Sequence, residues 1–291
     1  MKLYARFWEG RVMGTEARLR ITTNDPEAGD VALLRAAKDL AATECVLSRF
    51  LEHSELSQLN RSGKAAVGGR LLVAFERTIE AYEWSDGLLD PRVIDALERF
   101  GYREGVPGGD VGPVEPAEAP APVDMRGWVD ERGRISLPSG VRLDLAGVGK
   151  ALGIGWAATQ LVGHVGLLVD VGGDVVALGT DEEGEPWRVA VVHDKEAVGM
   201  FFGSPLAVAT STTRRRTWLA AGRQAHHLIH LRYGAPAEGD ISSATVAAPT
   251  ILEADLAAKL LIIEGVPALE RLNKRYRVVL TDRWGRTEVV C

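Results

Sequence analysis

The spacing of apolar residues predicts a β-hairpin followed by helices in the N-terminal part of the chain. Residues 2–23 alternate apolar and polar positions in the manner of paired strands. Residues 26–49 carry apolar side chains at helical spacing, and further helices are predicted at about 70–85 and 93–100. Between the first two helices, the stretch HSELSQLN (53–60) is predicted to be a polar break.

A segment rich in proline, glycine and acidic residues interrupts this pattern at residues 103–126. Such a composition cannot supply a packed core, so we expect a mobile surface insertion. After it come short strands, a helix at about 148–161, strands to about 245, a long and a short helix, and two closing strands. Because strands and helices mix without regular βαβ alternation, the pattern predicts an α+β fold in a single domain over 1–291.

Composition narrows the classes of function. The 291 residues are 46% hydrophobic with a net charge of −6, which is typical of a globular protein. The basic run at Arg214–Arg216 is too short to follow a phosphate backbone, so we expect no nucleic-acid partner. No stretch has the apolar length of a membrane span, and the start lacks the apolar core of a signal peptide, which predicts a cytoplasmic protein. Cys45 lies in a helical pattern and is expected to be a buried thiol.

A charged pair interrupts the apolar helix near the C terminus. In EADLAAKLL, Asp255 and Lys259 are one helical turn apart and project between leucine and isoleucine side chains. A solvated ion pair is one interpretation, worth a few tenths of a kcal/mol. The apolar neighbours favour another, a partly buried pair that needs a further partner, because buried charge is costly without one.

Two glycine-containing turns could approach a ligand. In RLDLAGVGKALG (142–153), Gly147 and Gly149 lead into a helix that begins near Lys150, and a lysine at a helix N terminus suits a phosphate group. A strand-to-helix connection with a solvated lysine explains the same pattern, and the spacing matches neither a Walker loop nor a dinucleotide fingerprint. The second stretch, DVGGDV (170–175), is more typical of a hairpin turn.

Three of the six histidines, His226, His227 and His230, lie in or beside one predicted strand, AHHLIHLRYGAP. Adjacent strand residues point to opposite faces, so His226 and His227 cannot both face one centre. Packing or surface roles stay open for all three. The hydroxyls of VATSTTRR (208–215) are not in a G-x-S-x-G elbow, so a serine hydrolase is not indicated.

Taken together and in this order, these stretches resemble the ApbE family of FAD:protein FMN transferases. The resemblance is carried by VMGTEARLRI, LSRFLEHSELSQLN, DGLLDPRV, RLDLAGVGKALG, LLVDVGGDV, VATS, HHLIHLRYGAP and ATVAAPTILEADLAAKLLIIEG. It implies mixed sheets with packed helices and a ligand cleft between two intimately associated halves, holding FAD and Mg²⁺. It also implies a reaction in which FAD is cleaved, FMN is attached to a threonine or serine hydroxyl of an acceptor protein, and AMP leaves.

The resemblance also assigns roles to individual residues. Asp255 would bind the metal ion together with the backbone oxygen of Gly147, and His227 would orient or deprotonate the acceptor hydroxyl. The residues expected to contact FAD are Met13, Phe50, Leu89, Asp90, Asp144, Lys150 and Ile229.

The sequence departs from the family pattern at several positions. Lys259 stands where the family has a threonine as its second side-chain metal ligand, and an ammonium cannot bind Mg²⁺, although it could be a substitute cation beside Asp255. The other departures are Arg92 for threonine, Asp170 for asparagine, His230 for aspartate, Leu231 for proline and Tyr233 for threonine. Two main functions therefore stay open: a transferase that acts on an acceptor flavoprotein, and an FAD-binding relative that stores, delivers or senses flavin without transfer. A structural protein without a ligand is a third interpretation.

Overall fold

The computed structural model of the chain describes residues 2–103, 111–112 and 114–290. Within them, the helices are α1 Pro26–Leu47, α2 Glu55–Ser62, α3 Gly69–Trp84, α4 Ile94–Arg99, α5 Ala146–Thr159 and α6 Ile251–Glu264, with 3₁₀ turns at Arg126–Trp128 and Val266–Arg271. The strands are β1 Tyr4–Val12, β2 Thr15–Thr23, β3 Lys64–Ala66, β4 Arg134–Ser136, β5 Gly166–Val171, β6 Asp174–Gly179, β7 Trp187–His193, β8 Glu196–Gly203, β9 Leu206–Thr212, β10 Thr217–Ala220, β11 Arg223–His226, β12 Ile229–His230, β13 Ala235–Pro236, β14 Ile241–Ala248, β15 Arg277–Asp282 and β16 Thr287–Val290.

The largest element is an antiparallel sheet of eight of these strands, in the order β1-β2-β5-β6-β9-β14-β15-β16. Short two-stranded sheets lie beside it, formed by β3 with β4, β7 with β8, β10 with β11, and β12 with β13. Helices and a large antiparallel sheet in one chain confirm the predicted α+β class.

The predicted N-terminal hairpin is present, and its turn explains its geometry. β1 and β2 pair from Tyr4 with Thr23 to Val12 with Thr15. The two turn residues, Met13 and Gly14, both have positive φ angles, 53° and 70°, as the tight turns that match strand twist require. The turn therefore places Met13 at the end of the hairpin, where its partly buried side chain packs against the core.

Helices α1, α5 and α6 cover one face of the sheet. Their apolar stripes bury Leu40, Ile154 and Ala254 completely against sheet residues such as Val169. α5 packs against both α1 and α6. This packing brings the polar positions of α5 and α6 into one region.

The predicted polar break at HSELSQLN is wrong, because α2 occupies most of it. Ser54 caps this helix by accepting a hydrogen bond from the Ser57 backbone N–H at 2.9 Å. Leu56 and Leu59 are fully buried on its inner face, so two apolar side chains suffice where the rest of the helix is polar.

The predicted burial of Cys45 is also wrong. Its thiol is exposed on the outer face of α1. The core face of that helix is instead occupied by residues such as Ala36 and Leu40. The other predicted helices are confirmed within a few residues at each end.

The described part of the predicted insertion makes contacts with several regions. The Ala117 backbone N–H donates to the Gly234 carbonyl at 3.0 Å, and Arg92 donates to the Ala121 carbonyl at 2.9 Å. Residues 104–110 and 113 lie outside the described residues. Mobility of 103–126 and the single-domain organisation stay predictions. No helix in the described part of the chain is long and apolar enough to cross a membrane.

Candidate active site

One charged pair joins α5 to the sheet. Lys150 lies one turn into α5, and its ammonium contacts Asp174 Oδ2 at the start of β6. Asp174 is 1% exposed, and its Oδ1 accepts a hydrogen bond from the Thr210 backbone N–H of β9 at 3.0 Å. The carboxylate is therefore held by the sheet on one side and presents its other oxygen to the lysine.

The turn before Asp174 confirms the hairpin interpretation of DVGGDV. Gly172 and Gly173 have positive φ angles of 66° and 96°, which only glycine adopts readily. Asp170 closes the turn by accepting a hydrogen bond from the Gly173 backbone N–H at 2.9 Å. Burial raises the pKa of Asp170, although this hydrogen bond opposes the effect.

A second charged pair lies on α6. The Lys259 ammonium contacts Asp255 Oδ1 across one helical turn, and their side chains are only 15% and 3% exposed. The interpretation as a solvated pair is therefore wrong. The helix is fixed at its start by a capping box between Thr250 and Glu253.

Asp255 is an unusual carboxylate because one of its oxygens lacks a partner. Its Oδ2 is buried and accepts no hydrogen bond from the described residues. Burial raises the pKa of Asp255, the Lys259 ammonium lowers it, and the negative charge of Asp174 adds to the rise. A buried oxygen of this kind is available to a ligand that brings a donor.

The two pairs interact and form one cluster, which we call the lysine cluster: Lys150, Asp174, Asp255 and Lys259. Burial alone would lower the pKa of Lys150, but Asp174 and Asp255 together raise it above its ordinary value. Lys150 is therefore a stable ammonium. The cluster holds two positive and two negative side chains at the junction of α5, α6 and the sheet.

His227 borders the lysine cluster. Burial lowers its pKa to about 3, and the positive charges of Arg216, Lys259 and Lys150 add to the effect. Its Nδ1 is buried without a hydrogen-bond partner in the described residues. The imidazole is therefore neutral at physiological pH and has a ring nitrogen available to a ligand.

His226 has a different environment from that of His227. It ends β11, and its Nδ1 accepts a hydrogen bond from the Leu228 backbone N–H at 3.3 Å. The proton then lies on Nε2, which donates to the Ala237 carbonyl at 3.0 Å. Both ring nitrogens are used inside the protein, so His226 has a structural role.

A third charged pair belongs to a group that we call the arginine corner: Arg49, Phe50, Tyr102, Asp144 and Trp218. Arg49 Nε donates to Asp144 Oδ2 at 2.7 Å. The guanidinium lies over the rings of Phe50, at 4.2 Å, and Tyr102, at 5.7 Å. Tyr102 stacks on Trp218 with ring centroids 5.3 Å apart.

Within this corner, Asp144 also fixes the start of α5. Its Oδ1 accepts a hydrogen bond from the Ala146 backbone N–H at 2.8 Å. The helix that carries Lys150 is thus anchored by the arginine corner.

The remaining predicted FAD contacts lie around these two groups. Met13 packs on α5, since a Cβ on Gly153 would lie 2.5 Å from the Met13 Cε. Ile229 is 3% exposed and packs in the apolar cluster that contains Trp218. Gly147 is in the first turn of α5 with open space beside its Cα. Each of these positions borders α5 or the arginine corner.

Leu89 and Asp90 lie in the segment after α3. Leu89 is half-buried between two apolar clusters. Asp90 is 6% exposed and accepts hydrogen bonds from Arg92, including one from Nη2 at 2.6 Å. Arg92, one of the departures from the family pattern, therefore occupies this carboxylate with a guanidinium.

Sequence reasoning missed several residues of the site. Asp174 was assigned only to a turn, although a carboxylate at the start of a buried strand is itself a signal. Arg216 is an exposed cation with φ of 52°, close to both His227 and the Met13–Gly14 turn. Nothing in the sequence links Tyr102 to Trp218, because their stacking depends on tertiary packing.

The donor set does not fit the Mg²⁺ site that the resemblance implies. Mg²⁺ demands near-octahedral oxygen ligands. Asp255 Oδ1 is taken by the Lys259 ammonium, and Asp174 is held by Lys150 and by the Thr210 backbone N–H. Among the described residues, no group of three or more His, Cys, Asp or Glu could hold a metal ion.

Sequence comparison finds relatives that match most of the chain. Residues 13–280 match the model of the ApbE family. The chain is 27% identical over 272 residues to the FAD:protein FMN transferase of Salmonella typhimurium, covering 86% of this chain and 76% of that protein. It is also 27% identical over 285 residues to the FAD:protein FMN transferase of Treponema pallidum, covering 87% and 77%.

Solved structures show the same fold. An ApbE protein from Thermotoga maritima superposes with a TM-score of 0.81 at 20% identity, covering 98% of this chain and 97% of that one. The flavinyl transferase ApbE of Pseudomonas stutzeri, in its apo form, gives a TM-score of 0.80 at 18% identity, covering 100% and 96%. These structures share the mixed fold of this chain, and the match to the family model identifies the class. The chain belongs to the ApbE family, as the ordered motifs predicted.

Proposed function

We propose that this protein transfers FMN from FAD to a threonine or serine hydroxyl of an acceptor protein and releases AMP. The observation that carries the proposal is the lysine cluster beside a neutral His227. Phosphoryl transfer to a hydroxyl needs positive charge beside the phosphates and a base for the hydroxyl proton. The cluster lysines supply the charge, and His227 Nδ1, which has no hydrogen-bond partner among the described residues, can act as the base. The curated relatives named FAD:protein FMN transferase support the same reaction.

The chemistry is the exchange of one phosphorus–oxygen bond for another. The acceptor hydroxyl oxygen forms a bond to the phosphorus of the FMN half of FAD. The bond from that phosphorus to the bridging oxygen breaks, and AMP leaves with the bridging oxygen and its electron pair. The Lys150 and Lys259 ammoniums stabilise the negative charge on the pyrophosphate and on the departing AMP.

His227 orients the acceptor hydroxyl and receives its proton. A neutral imidazole can accept this hydrogen bond, whereas an imidazolium cannot. The cations that lower the pKa of His227 are the ones that would face the FAD phosphates. Burial is the largest cause of the low pKa of His227, and two phosphate charges would offset only the smaller contribution of the nearby cations, which raises the basicity of His227 when FAD is bound.

The flavin and the adenine are assigned to the surfaces beside the cluster. Phe50 is 40% exposed and presents a ring supported by Arg49, which suits stacking of a planar group. The other residues assigned to FAD are Met13, Leu89, Asp90, Asp144, Lys150 and Ile229. Gly147 is assigned to the pyrophosphate side of this surface, because the first turn of α5 offers backbone N–H groups and open space.

A flavin-binding protein without transfer activity is the second candidate. Its support is the Lys259–Asp255 pair, because Lys259 stands where the resemblance implies a threonine that binds the metal ion. Both candidates require FAD to bind at the lysine cluster. They differ only in whether the phosphorus–oxygen bond is exchanged.

Incubation with FAD and a panel of candidate acceptor proteins tests the proposal. The expected result is stoichiometric AMP by chromatography and a flavin-fluorescent acceptor band after denaturation. A matched acceptor with alanine at the modified position should give no band. FAD that binds but yields neither AMP nor a fluorescent band with any acceptor, and no slow hydrolysis to FMN and AMP, would favour the second candidate.

A further inference from the structure

We propose that the Lys259 ammonium replaces a divalent metal ion in this site, so that FAD is bound and activated without Mg²⁺. This inference rests on the proposed function, because it concerns the same pyrophosphate site. It assigns to one side chain of this chain a task that the family gives to an ion.

The position of the ammonium is the first observation. Lys259 and Asp255 lie one turn apart on a capped helix, so the cation is held against the carboxylate by the helix itself. Both side chains are largely buried. An ammonium in contact with Asp255 and a divalent ion bound to the same carboxylate would repel each other strongly in so little solvent.

Charge balance is the second observation. Asp174 and Asp255 are matched by Lys150 and Lys259, so the lysine cluster is neutral before any ligand enters. A site prepared for a dication would hold an excess of carboxylate charge. The lysine cluster has no such excess of carboxylate charge.

Unused bonding capacity is the third observation. An ammonium has three N–H donors, and contact with Asp255 Oδ1 uses one of them. Phosphate oxygens of FAD can accept hydrogen bonds from the two remaining N–H groups. The same oxygens would coordinate a metal ion if one were bound. Asp255 Oδ2, buried and without a partner in the described residues, faces this site and can receive a donor from ligand or water.

A purely structural ion pair makes different demands. Such a pair would stabilise α6 without altering affinity for a ligand. The two roles therefore separate in a binding measurement, provided that the variants are shown to be folded by circular dichroism.

Calorimetric titration of FAD, in EDTA and in excess Mg²⁺, tests the inference. For the wild type we expect the same Kd in both buffers within about twofold. Lys259→Met should bind FAD about tenfold or more weakly in both, because the charge is lost and no ligand is gained. Lys259→Thr should be equally weak in EDTA and recover in Mg²⁺, since a hydroxyl oxygen then stands beside Asp255.

Matched controls exclude general effects of charge and folding. Lys274→Met removes an exposed lysine from a turn and should leave FAD affinity unchanged. The double variant Asp255→Asn with Lys259→Met removes both charges and avoids an unpaired buried carboxylate. It should fold and still bind FAD weakly.

Mn²⁺ titration of the FAD-free protein, followed by electron paramagnetic resonance, separates this inference from the proposed function. We expect no stoichiometric Mn²⁺ site in the wild type. A wild-type protein that binds one Mn²⁺, or whose FAD affinity rises tenfold or more in Mg²⁺, would overturn the inference and leave the transferase proposal intact. Unchanged FAD affinity in Lys259→Met would also overturn it. Failure of the wild type to bind FAD in either buffer would refute both proposals.

Discussion

The arginine corner and the lysine cluster both place a cation against a buried carboxylate, but they treat the carboxylate oxygens differently. In the corner, both oxygens of Asp144 accept hydrogen bonds, from Arg49 Nε at 2.7 Å and from the Ala146 backbone N–H at 2.8 Å. In the cluster, Asp255 Oδ2 has no partner among the described residues. A satisfied pair fixes structure, whereas an unsatisfied one leaves capacity for a ligand.

The choice of cation follows the same division. The planar guanidinium of Arg49 lies over two aromatic rings and is fixed in one orientation. The ammoniums of Lys150 and Lys259 are compact charges on flexible stems, which can turn toward an incoming phosphate. Arginine therefore holds α5 in place, and lysine provides the positive charge that the proposed chemistry needs.

The largest expected effect comes from His227, at the border of the unsatisfied cluster. His227→Ala should leave FAD affinity nearly unchanged and slow AMP release by ~10²-fold or more, the usual scale for a general base. His226→Ala should slow AMP release less than His227→Ala when the rate is expressed per folded molecule, although it removes two internal hydrogen bonds. Transfer assays with both variants check this ranking, and the reverse ranking would assign the catalytic role to His226.

The satisfied pair should contribute strongly to stability. Arg49→Met leaves Asp144 as a buried carboxylate without its cation, which typically costs about 3 kcal/mol. Lys259→Met should cost less, because Asp255 has a raised pKa and can take up a proton. Urea denaturation of both variants gives the two free energies of unfolding. Equal losses would remove the distinction between the two regions.

The relative affinities for FAD, FMN and riboflavin test whether the lysine cluster recognises the pyrophosphate. FAD should bind about tenfold or more tightly than FMN or riboflavin, because only FAD carries two phosphates to share between Lys150 and Lys259. Flavin fluorescence titration measures the three affinities. Equal affinity for FAD and FMN would show that the cluster contributes nothing to recognition.

The smallest expected effect is on the pH dependence of stability. The pKa of His227 is lowered to about 3 in the folded protein, so the unfolded chain binds a proton first as the pH falls below about 6.5. The contribution of neutral His227 to the free energy of unfolding is fully present above about pH 6.5 and declines as the pH falls toward 3. His227→Gln should therefore lose less stability than the wild type between about pH 7 and 5. Thermal melts across this range check it, and identical pH profiles would contradict the assignment.

Much of the fold could be predicted because α1 carries apolar residues at helical spacing, and α5 and α6 are long segments that are apolar around most of the helix. The short helix α2 escaped because only Leu56 and Leu59 mark its inner face. Cys45 was misplaced because helical spacing alone does not say which flank of a stripe faces solvent.

The site was predictable to a lesser degree. Ordered motifs pointed to Lys150, His227 and Asp255, but Asp174 is far from Lys150 in sequence and meets it only through the packing of α5 on the sheet. The arginine corner has the same origin, since Tyr102 and Trp218 come from distant segments. Such pairings are products of tertiary structure and leave no local pattern.

A crystal structure of the FAD complex, grown with Mg²⁺ in the buffer, tests the central claim most directly. The account predicts pyrophosphate oxygens within hydrogen-bonding distance of Lys150 Nζ and Lys259 Nζ, with His227 facing the phosphorus of the FMN half. It also predicts that Lys259 stays in contact with Asp255. A metal ion bound between Asp255 and the phosphates, with the Lys259 ammonium displaced, would contradict it.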